Sequence, residues 1–581
     1  MQLSEPIQAE LVPLMNRVLD KFQHTNRLSG SEGAERAVDF LMQQLSAAGL
    51  SPVRETCELY LSDPLAGSLI LPDFPHWQGE AKTRSFSANC PAGITGALVY
   101  DRQSLHPISD LERTDWETSV RGKIVIADQA FEDYVQRLCQ AGAVGLVHIW
   151  GSPESALHEE TVGPVWGTPV PDDMALYPTL PVISVNHQQG RELLEIINMQ
   201  QEVLACLSTR LNEHVACCSL PVVTIRGELD EFVLLSSHYD SWHEGVTDNA
   251  TGNALCVAVA AYFHQHQPLL KRGLRIAWWP GHSNARYGGS TWYADRYRHE
   301  LQQQCVAHIN VDSPGCKGAT EVVVNASGAE NPDFLQRIVG QITGKPARRI
   351  TPPGKGSDHS FWGCGIPLHF AFREEPEIAG SQSPGSGGGW WWHTEYDTRD
   401  KVDDAILWRD CQIHIGWLTQ LLGDEALPVD PSGYLVLLLL ELEQLQISLD
   451  AQFNLAPIGD ELRRLQQKIA DIGDRYKNPE TGQIVCRAVS LWHRVRYSST
   501  DDFHYDRSYR GGAFAGLQIL RGQRQNNTAP LTFLTMTTQF IRQRDRAISL
   551  LQQSGELLES IPVSDIRQDF ISAELQIKGV S

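Results

Sequence analysis

Three short stretches of this chain place histidines and acids where apolar runs end. In HYDSWHEGVTDNATG, directly after FVLLSS, His238 stands at a strand end, Asp240 follows two residues on, and Asp248 lies in a glycine-containing turn ahead of a helix. A neutral imidazole and a carboxylate in such a place suit Zn²⁺, and a second carboxylate nearby can orient the imidazole. Polar loop residues capping a helix would read the same way. In INVDSPG, Asp312 ends another buried strand, where an acid is costly unless paired or metal-bound. In WWWHTEYDT, His393 precedes a polar turn; by itself it reads as a structural histidine with its hydrogen bonds satisfied. Three such signals in chain order are much harder to set aside than any one of them.

The elements that must position these residues follow from periodicity. RLSGSEGAERAVDFLMQQLSAAGL predicts a turn and then a helix, with Val38, Leu41, Leu45 and Leu50 at apolar positions. From about 88 to 215 short β-rich runs such as GALVY and GKIVIAD, with one helical stretch, FEDYVQRLCQAGAVGLVHI, suggest a small separate domain. From about 218 the pattern alternates: strand FVLLSSH, helix NALCVAVAAYFHQH, strand LRIAWW, helix STWYADRYRHELQQ, strand VAHINVD. Alternation of this kind implies an α/β fold, a mostly parallel sheet sandwiched by helices, with sites at the carboxyl ends of the strands. PEIAGSQSPGSGGGWWW is too long for a simple connection and reads as a lid or pocket wall. Beyond about 430 the chain reads as a helical bundle.

At 581 residues the chain exceeds what one core usually serves, so two to four domains are expected. A formal net charge of −22 counts against a nucleic-acid partner and against an anionic membrane surface. The first residues, MQLSEPIQAELVPLMNRVLDKF, read as an amphipathic helix rather than a secretory signal, and the run Leu435 to Leu440 is far short of the roughly 20 residues that cross a bilayer. Twelve cysteines without CxxC spacing read as reduced thiols of a cytoplasmic protein.

HYDSWHEGVTDNATGNA resembles the first metal motif of the zinc aminopeptidases, and DSW is especially close to the glutamate carboxypeptidase II and transferrin receptor branch of that group. RIAWWPGHSNARYGGSTWYAD, INVDS, GSDHSFWGCGIP and HTEYDT follow in the group's order and approximate spacing. GKIVIAD with QAGAVGLVHI resembles its inserted protease-associated domain, and the carboxyl-terminal helices resemble its dimerisation domain. The resemblance implies peptidase-like segments at 1–87 and 218–428, a protease-associated-like insertion at 88–217 and a helical dimerisation-like segment at 429–581. It also implies that His238, Asp248 and Asp312 hold one metal, that Asp248 bridges to a second also held by His393, and that Asp240 orients His238. One or two Zn²⁺ ions are the cofactor so implied.

The group's second motif places two adjacent glutamates after the strand, one a general base and one a ligand. Counting back from Gly289 and Ser290 puts Ser283 and Asn284 there, and neither can act as a carboxylate base. Loss of a positioned base typically costs on the order of 10² to 10⁴ in rate. His282, one residue earlier, can ligate a metal or carry a proton near neutral pH. Glu374 and Glu375 in AFREEPE, and Glu395, are alternative bases; the first two also read as a solvated acidic turn. Arg373 reads as a carboxylate-binding residue or as half of an exposed ion pair, and Trp390 to Trp392 as a substrate-closing wall, with at least one facing the core if they form a strand.

The reading is a metal-dependent hydrolase of an amide bond in a peptide or small amino-acid conjugate, homodimeric through residues after about 430. Competing readings are a non-catalytic, transferrin receptor-like binding protein on the same fold, and an amidohydrolase of a non-peptide substrate. Joint retention of the four ligands argues against complete loss of the metal, because an abandoned site has no chemical reason to keep clustered acids.

Overall fold

The computed structural model describes residues 3–77, 79–104, 110–164, 166–354, 356–376, 389–504, 512–526 and 528–562, so the glycine-rich stretch expected to form a lid lies mostly outside the described residues. Helices α1 (Glu5–Phe22) and α2 (Glu32–Ala47) open the chain and bury one apolar face each, Leu11, Leu14, Val18 and Phe22 on the first and Val38, Leu41 and Leu45 on the second. Then come β1 (Val53–Ile70), β2 (Ala81–Thr83), β3 (Cys90–Tyr100), α3 (Asp110–Val120), β4 (Lys123–Ala127), α4 (Glu132–Ala141), β5 (Gly145–Ile149), β6 (Val182–Val185), α5 (His187–Met199) and β7 (Leu204–Ile225). The stretch FEDYVQRLCQAGAVGLVHI is therefore not one helix. Gly142, at φ 82°, ends α4, and the apolar run after it is the fully buried strand β5.

The two long strands β1 and β7 pair antiparallel from Val53 opposite Val222 to Ile70 opposite Cys206. One end of this ribbon carries β2 to β6; the other joins the sheet that bears the site, so the boundary expected after residue 217 falls inside a continuous strand. That sheet continues through β8 (Phe232–His238), α6 (Thr251–Gln265), β9 (Gly273–Trp279), α7 (Gly288–Arg296), α8 (Arg298–Gln304), β10 (Cys305–Asn310), β11 (Glu321–Ala326), α9 (Pro332–Thr343), β12 (Arg349–Thr351), β13 (Leu368–Glu375) and α10 (Asp404–Gly423). Strands β9, β8, β10 and β13 lie side by side and parallel, and β7 and β11 flank them antiparallel. The expected helix STWYADRYRHELQQ is interrupted at Tyr297, which leaves helical backbone at φ −111°, ψ 17°.

The central strands are continuous buried apolar runs because both faces are covered. On one face α6, buried from Thr251 to Phe263, packs with α1, α2 and α10; on the other, Leu59, Trp279, Tyr293, Leu301 and Phe361 form a second core. Helices α11 (Pro431–Ser448), α12 (Ala456–Ile472), α13 (Pro479–Tyr497) and α14 (Pro530–Glu559) follow among the described residues. Leu462, Leu465 and Ile469, the stripe for which a second copy was expected, are covered within the chain, where α12 packs against α11 and α14. These residues need no partner. Among the described residues no helix is long and apolar enough to cross a membrane, and none of the twelve cysteines forms a disulfide.

Buried histidines line the seam between the sheet and α13. His493 Nε2–H donates to the Pro367 carbonyl (2.8 Å) and Nδ1 accepts from the Tyr434 hydroxyl (2.8 Å), so the neutral ring is satisfied and burial pushes its pKa down to about 4. A base depressed in the folded state contributes stability that is present above its free pKa near 6.5 and lost as pH falls toward 4, on the order of 3 kcal/mol for this group. Glu330, raised to about 7 by burial, pulls the other way over the same range. The comparison of parent with variant therefore isolates the histidine: His493→Gln is expected to remove its share of the acid destabilisation, read from urea unfolding at pH 7 and pH 4.5.

Candidate metal centre

Strands β9, β8 and β10 deliver their carboxyl ends to one edge. His238 is the last residue of β8, His282 follows β9, and Asp312 follows β10. His238 Nε2 lies 3.0 Å from Oδ1 of Asp248 and 3.5 Å from Oδ1 of Asp312, and Oδ2 of Asp248 lies 3.0 Å from Nε2 of His393. Asp248 thus spans two imidazoles with one oxygen on each. All four side chains are buried. Although His238 Nε2 and Asp248 Oδ1 approach so closely, their directions make no hydrogen bond, and neither atom has a hydrogen-bond partner among the described residues. Buried polar atoms that face a common space in this way fit the donor set of a cation. The electrostatics agree. Burial alone would lower an imidazole, but Asp240, Asp248 and Asp312 hold His238 well above its usual value, and Asp248 with Glu160 raises His393.

The turn carrying Asp248 is tied on every side. Gly245 sits at φ 47°, where an added Cβ would come within 2.3 Å of the Asp248 carbonyl. Asp397 accepts the backbone N–H groups of Thr247 (2.8 Å) and Asp248 (2.9 Å), and burial pushes its own carboxyl up to about 6. The Asn249 amide donates to Ser237 Oγ and the Val311 carbonyl and accepts from the N–H groups of Gly252 and Ser313, joining the ends of β8 and β10. From the amino-terminal segment, the buried Arg27 guanidinium donates to the carbonyls of Tyr239 (2.8 Å), Glu244 (2.6 Å) and Gly245 (2.9 Å).

His393 is oriented from outside the site-bearing sheet. The Glu159 N–H donates to the His393 carbonyl and His393 Nδ1–H donates to the Glu159 carbonyl, both at 2.9 Å, which leaves the Nε2 lone pair for the Asp248 side. The Glu159 carboxylate meets Lys82 (3.1 Å) and His243 (3.0 Å). Trp390 to Trp392 lie in a turn rather than a strand. Trp391 donates to Thr247 Oγ1 and Trp392 stacks on His393 at 3.7 Å.

His282 stacks on His238 at 3.7 Å and places Nδ1 2.7 Å from Oδ2 of buried Asp358. One ligand atom from each of His238, His282 and Asp312 lies within 4.8 Å of the others. Asp240 acts through two groups: its carbonyl is 3.0 Å from His238 Nδ1, while its carboxylate, 3.5 Å away, accepts the N–H groups of His282 and Ser283. Asn284 donates to Asp63 and the Ser29 carbonyl, so that side chain is committed outside the ligand cluster.

Glu374 and Glu375, read from sequence as alternative bases, are engaged elsewhere. Glu374 accepts from Cys316 N–H and pairs with Arg409 (2.8 Å), and burial beside Asp410 holds it well above the usual carboxylate range. Glu375 pairs with Arg349 at the surface. Pleating explains the placement of Glu374: Arg373, one residue before it, faces the site and reaches Asp312 at 3.5 Å and Ser357 at 2.6 Å. Glu395 is exposed. Sequence reasoning missed Asp397, Asp358, Arg27 and Glu159. The first two stand inside the motifs HTEYDT and GSDHS; for Arg27 and Glu159 the working groups are a lone guanidinium and a backbone amide, which carry no local signal.

A parallel sheet thus gathers buried acids and histidines at its carboxyl edge, with one carboxylate spanning two imidazoles. Residues 222–415, about a third of the chain, match the model of Peptidase family M28. The chain is 22% identical over 316 residues to leucine aminopeptidase 2 of Trichophyton equinum, spanning 53% of this chain and 59% of that relative. It is 21% identical over 372 residues to carboxypeptidase Q of Mus musculus, 59% of this chain and 73% of that one. The fold is shared with an aminopeptidase from Aneurinibacillus sp. strain AM-1 (TM-score 0.53, 18% identity, 71% of this chain and 94% of that one) and with BSAP, a zinc aminopeptidase from Bacillus subtilis (TM-score 0.53, 16% identity, 71% and 96%).

Arg27→Met is expected to lower unfolding free energy by on the order of 3 kcal/mol, since several buried carbonyls lose their donor. Urea unfolding measures it, and an unchanged midpoint would remove the clamp assigned to Arg27.

Proposed function

We propose that this protein is a metal-dependent hydrolase acting on an amide bond of a peptide or small amino-acid conjugate. The observation that carries the reading is the Asp248 carboxylate, one oxygen 3.0 Å from His238 and the other 3.0 Å from His393. Zinc is the metal this donor set suits; His238 and Asp312 would hold one ion, His393 would serve a second, and Asp248 would be shared. Bound zinc supplies Lewis acidity to the scissile carbonyl and brings water toward pKa ~7.

His282 does the work for which the chain has no glutamate after β9. Asp358 holds its Nδ1–H, which leaves Nε2 beside the ligand cluster to accept a proton from water and return it to the leaving amine. Asp240 keeps it in place by accepting its backbone N–H. The names of the leucine aminopeptidase and carboxypeptidase relatives support a peptide substrate, and Trp392 against His393 offers an apolar wall for a side chain next to the scissile bond.

Elemental analysis of protein purified without chelator is expected to find at least one equivalent of zinc, lost in Asp248→Ala; a parent with only traces of any transition metal would overturn the reading. On an aminoacyl-anilide or dipeptide panel, dipicolinate is expected to abolish turnover and added zinc to restore it. His282→Ala is expected to lower turnover by about 10²-fold with an unchanged circular dichroism spectrum. Near-parental turnover would remove His282 from the chemistry.

A further inference from the structure

The loop from Pro280 to Tyr287, between β9 and α7, carries His282 near its start and ends on two adjacent residues in the left-handed region, Arg286 at φ 45° and Tyr287 at φ 67°. Side chains of this size adopt such backbone only where their surroundings hold them there. The surroundings act from two directions. On one side the Asp240 carboxylate accepts the N–H groups of His282 and Ser283, and Ser29 Oγ accepts that of Gly281 (2.6 Å). On the other side the contacts come from the lobe inserted between β1 and β7. The Gly167 N–H donates to the Arg286 carbonyl (2.6 Å), and an added Cβ at Gly167 would come within 2.9 Å of Gly288 Cα, so the two backbones touch. The Arg286 guanidinium pairs with Glu132 of α4 and, at 3.4 Å, with Oε1 of Glu160. Trp166 places its ring 5.5 Å from that of Tyr287. These contacts reach His282 within the loop itself: the Tyr287 N–H donates to the His282 carbonyl (3.3 Å), and the Tyr287 ring stands edge-on to the imidazole at 4.9 Å.

We propose that Arg286 is a positioning residue: through Glu132, Glu160 and Gly167 it fastens the loop that carries His282 to the inserted lobe, and so sets the reach of the imidazole toward the ligand cluster. The inference rests on the metal-hydrolase reading above, in which His282 carries the proton. The side chains of Arg286 and Glu132 are only 7% and 6% exposed. An ion pair buried this deeply loses in desolvation much of what it gains in attraction, while either partner left alone is an uncompensated charge. Its effect is therefore to fix where the two segments meet. The stretch 159–167 addresses both halves of the site, His393 through the Glu159 backbone and the His282 loop through Glu160 and Gly167.

Hydrogen exchange and turnover test it together on the full-length protein as purified. Arg286→Met is expected to speed amide exchange at least about 10-fold in peptides covering 280–287, where the His282 and Ser283 N–H groups are bonded to Asp240. It is also expected to lower kcat at least about 10-fold, with KM within about twofold and zinc content unchanged, as misplacement of a proton carrier does. Arg286→Lys, which keeps a charge for one of the two acids, is expected to recover part of both. In a His282→Ala background the methionine substitution is expected to lower turnover no further, because residues that act as a unit are not additive. Parental exchange in the loop would overturn the inference whatever the turnover. A loosened loop with parental turnover, or an additive loss in the His282→Ala background, would overturn the positioning role and leave the hydrolase reading standing. A parent with neither zinc nor turnover would overturn the hydrolase reading itself, and the positioning role with it. Should Arg286→Met fail to fold, Glu132→Gln, which keeps the shape and removes the charge, is read in the same way and decides.

Discussion

Two carboxylates, Asp248 and Asp312, are buried at the ends of neighbouring segments, where like charges repel and water cannot relieve them. Only positive charge between and around them makes that arrangement tolerable. His238 and His393 meet Asp248 from two sides and Arg373 approaches Asp312 from β13. Much of the architecture around the sheet edge can be understood as holding these groups at fixed separations: Asp397 and Arg27 on the turn, Asn249 between two strands, Asp358 behind His282.

The β1 and β7 ribbon extends this constraint beyond the peptidase-like sheet. Because both strands run without a break from the site-bearing sheet to the inserted lobe, that lobe has a fixed bearing on His393, and it uses it through Glu159. The inserted lobe is thus part of the wall of the site. In the carboxyl-terminal helices Leu462, Leu465 and Ile469 are covered by neighbouring helices, whereas Val436, Leu440 and Ile447 of α11 and Leu531, Leu534 and Ile541 of α14 stay exposed.

The alternation of strand and helix from 218 onward was legible because buried parallel strands are continuous apolar runs, and the site was legible because His238 and Asp312 follow such runs while Asp248 and His393 stand in the motifs HYDSWHEGVTDNATG and HTEYDT. What sequence could not give depends on direction or on backbone. Glu374 and Arg373 are adjacent, and only the pleat decides which of them faces the site. The helix assigned to GLVHI fails because a short apolar run has no periodicity of its own, and the switch at Gly142 is a matter of φ. Arg27 contributes through carbonyls more than two hundred residues away, a separation across which no motif operates.

The paired hydrogen bonds between Glu159 and His393 are made by main-chain atoms at the lobe's end. A contact of that kind is indifferent to which side chain occupies position 159 and sensitive to how many residues separate it from β5. As far as this contact goes, position 159 is free to vary while insertions and deletions between it and β5 are resisted, so its mark in a set of descendants would be a conserved spacing rather than a conserved residue.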